Sequence, residues 1–173
     1  MYKRQGWGIA RAVVTNVRQG SVREGASTIT QQLARTVFLS QDRTITRKLK
    51  EAALALKLER QLSKQQILEQ YLNYVYLGSG AYGVADAAWI YFSKTPDQLN
   101  LPEAALIAGL PPAPSIYSPL VNPDLALKQR AVVLDRMKQE GFITAGEAAQ
   151  ALNTPLNLQP ATPKYFNLSL IHI

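Results

Sequence analysis

The chain has no cysteine and a single histidine, His172, next to its last residue. The first absence excludes disulfide frameworks and metal sites built on thiolates, and it leaves the redox compartment open. The second removes imidazole from consideration, because a lone histidine at a chain end reads as a tail residue. Long apolar runs are missing too. None reaches the ~18 residues of a membrane-spanning helix, and no secretory signal is visible. Any anchor is therefore expected outside this chain. Acidic residues are few, 12 against 19 Lys and Arg, for a formal net charge of +7. That surplus predicts an anionic partner, with nucleic acid, an anionic bilayer surface and a pyrophosphate-bearing substrate all open. Plain solvation of helix faces is the bland alternative.

What is present fits one helical domain. The 173 residues are 47% apolar, enough for a core without staples. Met1–Gln5 and Leu168–Ile173 fit no pattern and read as non-native ends. Ile9, Val13 and Val17 give a short amphipathic helix from Gly8 to Val17. Ser27 is an N-cap candidate for a helix from Thr28 to about Phe38. Val37-Phe38-Leu39 is a compact apolar patch, read either as core or as membrane-facing. A helix from Thr44 to Gln61 carries Ile45, Leu49, Ala52 and Leu56 at helical spacing, which leaves its cations and Glu51 to other faces. Ser63 with Gln66 makes a capping box for the next helix, whose expected buried face is Ile67, Leu68, Tyr71, Leu72 and Val75. Gly78–Gly83 lacks the Lys-Ser/Thr ending of a nucleotide P-loop and reads as a connector. Val84–Phe92, a start at Asn100-Leu-Pro-Glu103, a long helix from Asn122 to about Glu140 and a last one capped by Thr144 and Glu147 follow. The prolines of 111–123 predict an extended surface loop, and residues 155–167 read as a linker or exit segment. The fold class is all-α, with about eight helices and no internal strand.

Gly25 to Glu59 is the most informative stretch. Hydroxyls and amides (Ser27, Thr28, Gln31, Gln32) precede Arg35, Arg43, Arg47, Lys48 and Lys50, with Glu51 as the nearby carboxylate. Cationic forks and ammonium groups suit phosphates, and amides and hydroxyls suit a sugar-like remainder.

Gly25-Ala-Ser-Thr-Ile-Thr-Gln-Gln32 followed by Arg47-Lys48-x-x-Glu51-Ala52 resembles the second and third motifs of peptidoglycan glycosyltransferases, the transglycosylase domains of class A penicillin-binding proteins and their monofunctional relatives. Lys64-Gln-Gln-Ile-Leu-x-x-Tyr71-Leu-Asn73 with Val75-Tyr-Leu-Gly78 resembles the fourth motif. Arg130-x-x-Val133-Leu134 resembles the fifth. The resemblance covers roughly Gly8 to Leu152 and implies a domain at 6–154, incomplete at its N-terminus.

The family resemblance implies a lysozyme-like helical fold that polymerises lipid II onto a growing glycan strand, with inversion and release of undecaprenyl pyrophosphate. It places Glu51 as the second, catalytic glutamate and Ser27, Thr28, Gln31 and Gln32 on donor sugar and phosphate. Arg35, Arg43, Arg47, Lys48 and Lys50 then surround the pyrophosphate. Arg35 stands where the family often has lysine, which keeps the charge and changes its geometry. Glu51 could instead merely pair with Arg47 on the surface. Asn73 and Arg130 read as holding the helices around the cleft, and Tyr71 and Leu72 as core. No cofactor is required, although a divalent cation (Mg or Mn) beside the pyrophosphate fits the family. The implied location is the bacterial envelope, on the outer face of the cytoplasmic membrane, and the proline-rich exit permits a following transpeptidase domain. The first motif, with its general-base glutamate, should lie just before Gly8, where the chain has Met1–Gln5. Little polymerisation is therefore expected from this chain alone. Two readings compete: a non-catalytic lipid II-binding scaffold, and a basic helical nucleic-acid-binding module. The second is disfavoured because no recognition-helix pattern stands out.

Overall fold

The computed structural model of the chain describes residues 27–38 and 44–162. The expected helix from Gly8 to Val17, Leu39, Arg43 and both chain ends lie outside them. The described residues form eight α-helices, one 3-10 turn and no strand, as an all-α reading requires. In chain order these are α1 (Ile29–Phe38), α2 (Ile45–Gln61), α3 (Lys64–Tyr74), α4 (Gly83–Phe92), the turn Pro96–Gln98, α5 (Leu101–Ala108), α6 (Pro114–Tyr117), α7 (Pro123–Gln139) and α8 (Ala145–Asn153). The one-turn α6 interrupts the loop expected across the prolines of 111–123.

The helix starts follow their caps. Ser63, Asn100 and Thr144 each accept from the backbone three residues on, and the side chains of Gln66, Glu103 and Glu147 return the bond. These capping boxes satisfy N–H groups that have no partner within the helix. At α1 the cap is one residue later than expected. Thr28, not Ser27, accepts from the backbone of Gln31 at 3.2 Å. The Ser27 hydroxyl is thereby left for another partner.

The core lies between α1, α3, α4 and α5. Leu33, Ile67, Tyr71, Val75, Leu77, Ile90, Phe92 and Leu106 are buried together there. Each such aliphatic or aromatic side chain contributes about 1.5–3 kcal/mol on burial. A second cluster joins Ala105, Leu134 and Ala151, holding α7 and α8 to α5. Two faces differ from the sequence pattern. On α3, Leu68 and Leu72 are 44% and 40% exposed, so the buried side is reduced to Ile67, Tyr71 and Val75. On α2 the orientation is reversed: Ile45, Leu49 and Leu56 are exposed, and Glu51 and Ala55 are the buried residues. A helix can bury a carboxylate when cations on the same helix neutralise it, and α2 does so.

The turn between α3 and α4 is tight. Gly78, Ser79, Gly80 and Gly83 all have positive φ, and the turn closes on an isolated bridge between Tyr76 and Tyr82. The Tyr91 hydroxyl donates to the Leu77 carbonyl at 2.8 Å, and Ser79 and Ser118 hydroxyls meet at 2.7 Å. The connector is thus a packed structural element.

Beyond α8 the chain is extended and fastened. The backbone N–H groups of Gln159 and Ala161 donate to the carbonyls of Tyr91 and Ile90. Trp89 Nε1 donates to the Thr162 carbonyl, and Leu156 and Leu158 pack against the core. Arg130, 4% exposed, donates through Nη2 to the carbonyls of Leu152 and Thr154 at 3.0 and 2.9 Å. Burial pushes its guanidinium below the ordinary value. Arg130→Ala should destabilise by about 2–4 kcal/mol, since two carbonyls lose a charged donor. A urea or thermal melt reads this, and an unchanged midpoint would remove Arg130 from the tie.

Candidate active site

The polar residues of the two opening motifs come together where α1 begins beside the first turns of α2. Lys48 Nζ donates to Ser27 Oγ at 2.7 Å and to Glu51 Oε2 at 3.0 Å. Arg47 Nε stands 3.4 Å from Glu51 Oε1. That second contact is ionic without being a hydrogen bond: Arg47 Nε and Glu51 Oε1 are both buried and have no hydrogen-bond partner among the described residues. Glu51 is only 1% exposed, whereas the Lys48 side chain is 48% exposed. The carboxylate is therefore held inside while its ammonium partner faces solvent. An ammonium has three donors. Two are used among the described residues, which leaves one for a ligand oxygen.

A second line of bonds enters from the core. Tyr71 on α3 donates its hydroxyl to Gln32 Oε1 at 3.3 Å, and Gln32 Nε2 donates to the Ser27 carbonyl, also at 3.3 Å. Burial pushes the Tyr71 phenol above its ordinary value, and the nearby Arg35 charge acts in the opposite direction. Tyr71 is 8% exposed and belongs to the core as expected. Its hydroxyl is the part that periodicity could not assign. The available signal was the choice of tyrosine over phenylalanine at a buried position.

Of the residues expected at the site, Ser27, Gln32, Arg47, Lys48 and Glu51 form this connected cluster. The Thr28 hydroxyl caps α1, and Gln31 is buried at 7% exposure. Arg35 and Lys50 are exposed and enter none of the cluster's hydrogen bonds among the described residues. Arg43 lies outside the described residues. Glu51 is not the surface pair considered from spacing alone; it is buried and has a second cation, Lys48. Among the described residues no three carboxylates or histidines gather as a metal site. The cluster's one carboxylate already faces two cations, so these residues do not fit a divalent ion. An apolar cavity of about 170 Å³, lined by residues such as Leu72, Val84, Leu99 and Ile107, has no titratable wall and cannot supply this chemistry.

The geometry defines an all-α domain with a buried carboxylate under a cationic, hydroxyl-bearing mouth. Residues 5–138 match the model of the transglycosylase family, and the chain belongs to that family, the peptidoglycan glycosyltransferases. It is 52% identical to penicillin-binding protein 1A of Neisseria flavescens over 153 residues, which cover 88% of this chain and 19% of that one. With penicillin-binding protein 1A of Aquifex aeolicus it shares 52% identity over 151 residues, covering 87% and 21%. The crystal structure of penicillin-binding protein 1A from Haemophilus influenzae superposes with a TM-score of 0.54 at 33% identity, covering 76% of this chain and 16% of that one. The chain thus spans about a fifth of the length of the curated relatives it matches.

Proposed function

We propose that this domain takes part in extending peptidoglycan strands from lipid II. The 4-hydroxyl of an incoming lipid II sugar attacks the anomeric carbon of the growing strand. The bond from that carbon to the pyrophosphate oxygen breaks, undecaprenyl pyrophosphate leaves with the electron pair, and configuration inverts. The hydroxyl proton goes to a base, which the family resemblance puts in the first motif.

The observation that carries this reading is the bridge from Ser27 to Lys48 to Glu51, which joins the two motifs in one polar mouth. Charge grows on the leaving pyrophosphate as the bond breaks. Cations already held in place therefore stabilise the transition state more than the ground state. Among the described residues Lys48 has two acceptors for its three donors, with Arg35, Arg47 and Lys50 as further cations of the same two helices, to which the family resemblance adds Arg43. Glu51 holds Lys48 and Arg47 in position and offsets the repulsion between their like charges. A divalent cation, if used, would come with the pyrophosphate rather than from a protein site. In equilibrium binding of undecaprenyl pyrophosphate to the whole chain, Lys48→Ala should weaken affinity about tenfold or more, the loss of one charge-assisted contact. Equal affinity in wild type and variant would sink the assignment of Lys48. No binding by the folded wild type would sink the pyrophosphate reading itself.

The envelope setting, at the outer face of the cytoplasmic membrane, is supported by α2. Ile45, Leu49 and Leu56 are exposed along one stripe, and Lys50, Lys57 and Arg60 of the same helix are exposed too. Apolar area beside lysine and arginine suits an anionic bilayer surface. No helix among the described residues is long and apolar enough to cross a membrane. A Leu49→Ser, Leu56→Ser double variant should lower binding to anionic vesicles about tenfold while melting normally, because both side chains are already in water. Unchanged vesicle binding would take the stripe out of the membrane contact. The length of the relatives leaves room for further domains, a transpeptidase among them. Nothing in the site favours nucleic acid: Arg47 and Lys48 face a buried carboxylate, and Tyr71, Tyr91 and Phe92 are in the core.

A further inference from the structure

We infer that Tyr71 is a positioning residue for the pyrophosphate site, acting through Gln32 and Ser27 on the ammonium group of Lys48. This rests on the transglycosylase reading above and adds to it a residue that spacing assigns to the core alone.

Gln32 links the core to the mouth of the site. Its amide is used at both ends, Oε1 accepting from the Tyr71 hydroxyl and Nε2 donating to the Ser27 carbonyl. An amide held by two different partners has one orientation and one rotamer, which a surface glutamine lacks. Gln32 is then a strut and no longer a free recognition group. What it holds is the residue before the α1 cap. Ser27 needs such support, because capping of α1 falls to Thr28 and not to Ser27 itself. The strut fixes the Ser27 backbone and thereby sets where its hydroxyl meets Lys48 Nζ, 2.7 Å away. Lys48 is the flexible member of the cluster, half in solvent, and a lysine side chain has about 2 kcal/mol of rotamer entropy to lose on ordering. Ser27 and Glu51 share that task, and without Ser27 the ammonium keeps one anchor among the described residues.

The starting point of the line explains its stiffness. The Tyr71 ring is packed with Leu33, Ile67 and Val75 in the main core, so its hydroxyl is placed by the packing of α3 against α1. Burial pushes the phenol above its ordinary value and so keeps it a donor. A phenylalanine at 71 would fill the same space and deliver nothing to Gln32. Three helices thus contribute to one ammonium position: α3 through Tyr71, α1 through Gln32, and α2 through Lys48 and Glu51.

The test uses the whole chain with three variants: Tyr71→Phe, Gln32→Met and the double variant. Acylation of Lys48 by a water-soluble succinimidyl ester is followed by peptide mass spectrometry, with the exposed Lys57 and Lys64 as internal references. Each single variant should raise the Lys48 rate relative to the references by about fivefold, the factor of one neutral hydrogen bond. The double variant should add little, since both changes cut the same line. Affinity for undecaprenyl pyrophosphate should fall by about the same factor. The inference is overturned if Lys48 reacts as in wild type, if Tyr71→Phe acts and Gln32→Met does not, or if affinity is unmoved. A parallel rise at Lys48, Lys57 and Lys64 with a lower Tm would also overturn it, by showing general loosening. Should the wild type fail to bind the pyrophosphate, the functional reading falls, and the Lys48 rates still decide the positioning.

Discussion

Glu51→Gln should lose transfer activity about a hundredfold or more while the domain stays folded. Glutamine has nearly the shape of glutamate, so packing at this 1% exposed position is kept. The change is electrostatic. Lys48 and Arg47 lose the anion between them, and Lys48, already half in solvent, turns outward. The folded state is weakened by about 1–2 kcal/mol, less than for an enclosed pair, because water reaches the released ammonium. The transition state loses more, since a cation placed beforehand becomes one that must be ordered during the reaction. The measurement is glycan polymerisation from lipid II by the full-length protein, alongside a thermal melt. Wild-type rates would return Glu51 to a structural role.

The second large effect is on folding. Gly83→Ala should cost about 3 kcal/mol or more, lowering Tm by roughly 6–12 °C in a domain of this size. Gly83 has φ +82°, where an L residue is strained, and it starts α4 against the end of α3. A Cβ there would meet the Asn73 carbonyl oxygen at 2.3 Å, a backbone atom that cannot swing away. The two helices would have to part, and the core between them with its Ile67, Val75 and Ile90 would open. Gly80→Ala is the useful comparison: φ is similarly positive at +81°, but no atom lies near the added Cβ. It should lose only about 1–2 kcal/mol, the cost of the backbone conformation alone. Equal losses in the two variants would show that the Asn73 contact contributes nothing.

The helices were legible because their starts are local. Ser63, Asn100 and Thr144 announce their capping boxes within four residues, and no distant partner is needed to complete them. Which side of a helix faces inward is a different matter. On α2 the apolar spacing of Ile45, Leu49 and Leu56 is regular, and the structure places that stripe in the open. Periodicity measures contrast between faces and cannot tell which one meets a neighbour. The buried side of α2 is chosen by Glu51, which has its counter-ions at positions 47 and 48. Leu68 and Leu72 show the same limit on α3. At the site, the pairing of the second and third motifs was readable from their residues in order. The Tyr71 line was not, because a contact across 39 positions between a core phenol and an amide leaves no trace in spacing.

The fastened segment after α8 changes where the domain stops. By composition, the stretch from Thr154 to Thr162 is slack tether, able to span roughly 30 Å if fully extended. Bound to the end of α4, it has none of that slack. Thr162 itself is held beside Trp89, and the backbone just before it is held by the contacts to Tyr91 and Ile90. A domain joined there would have its reach counted from α4 and not from α8. Residues inserted before Gln159 would push out a loop and leave that anchor where it is.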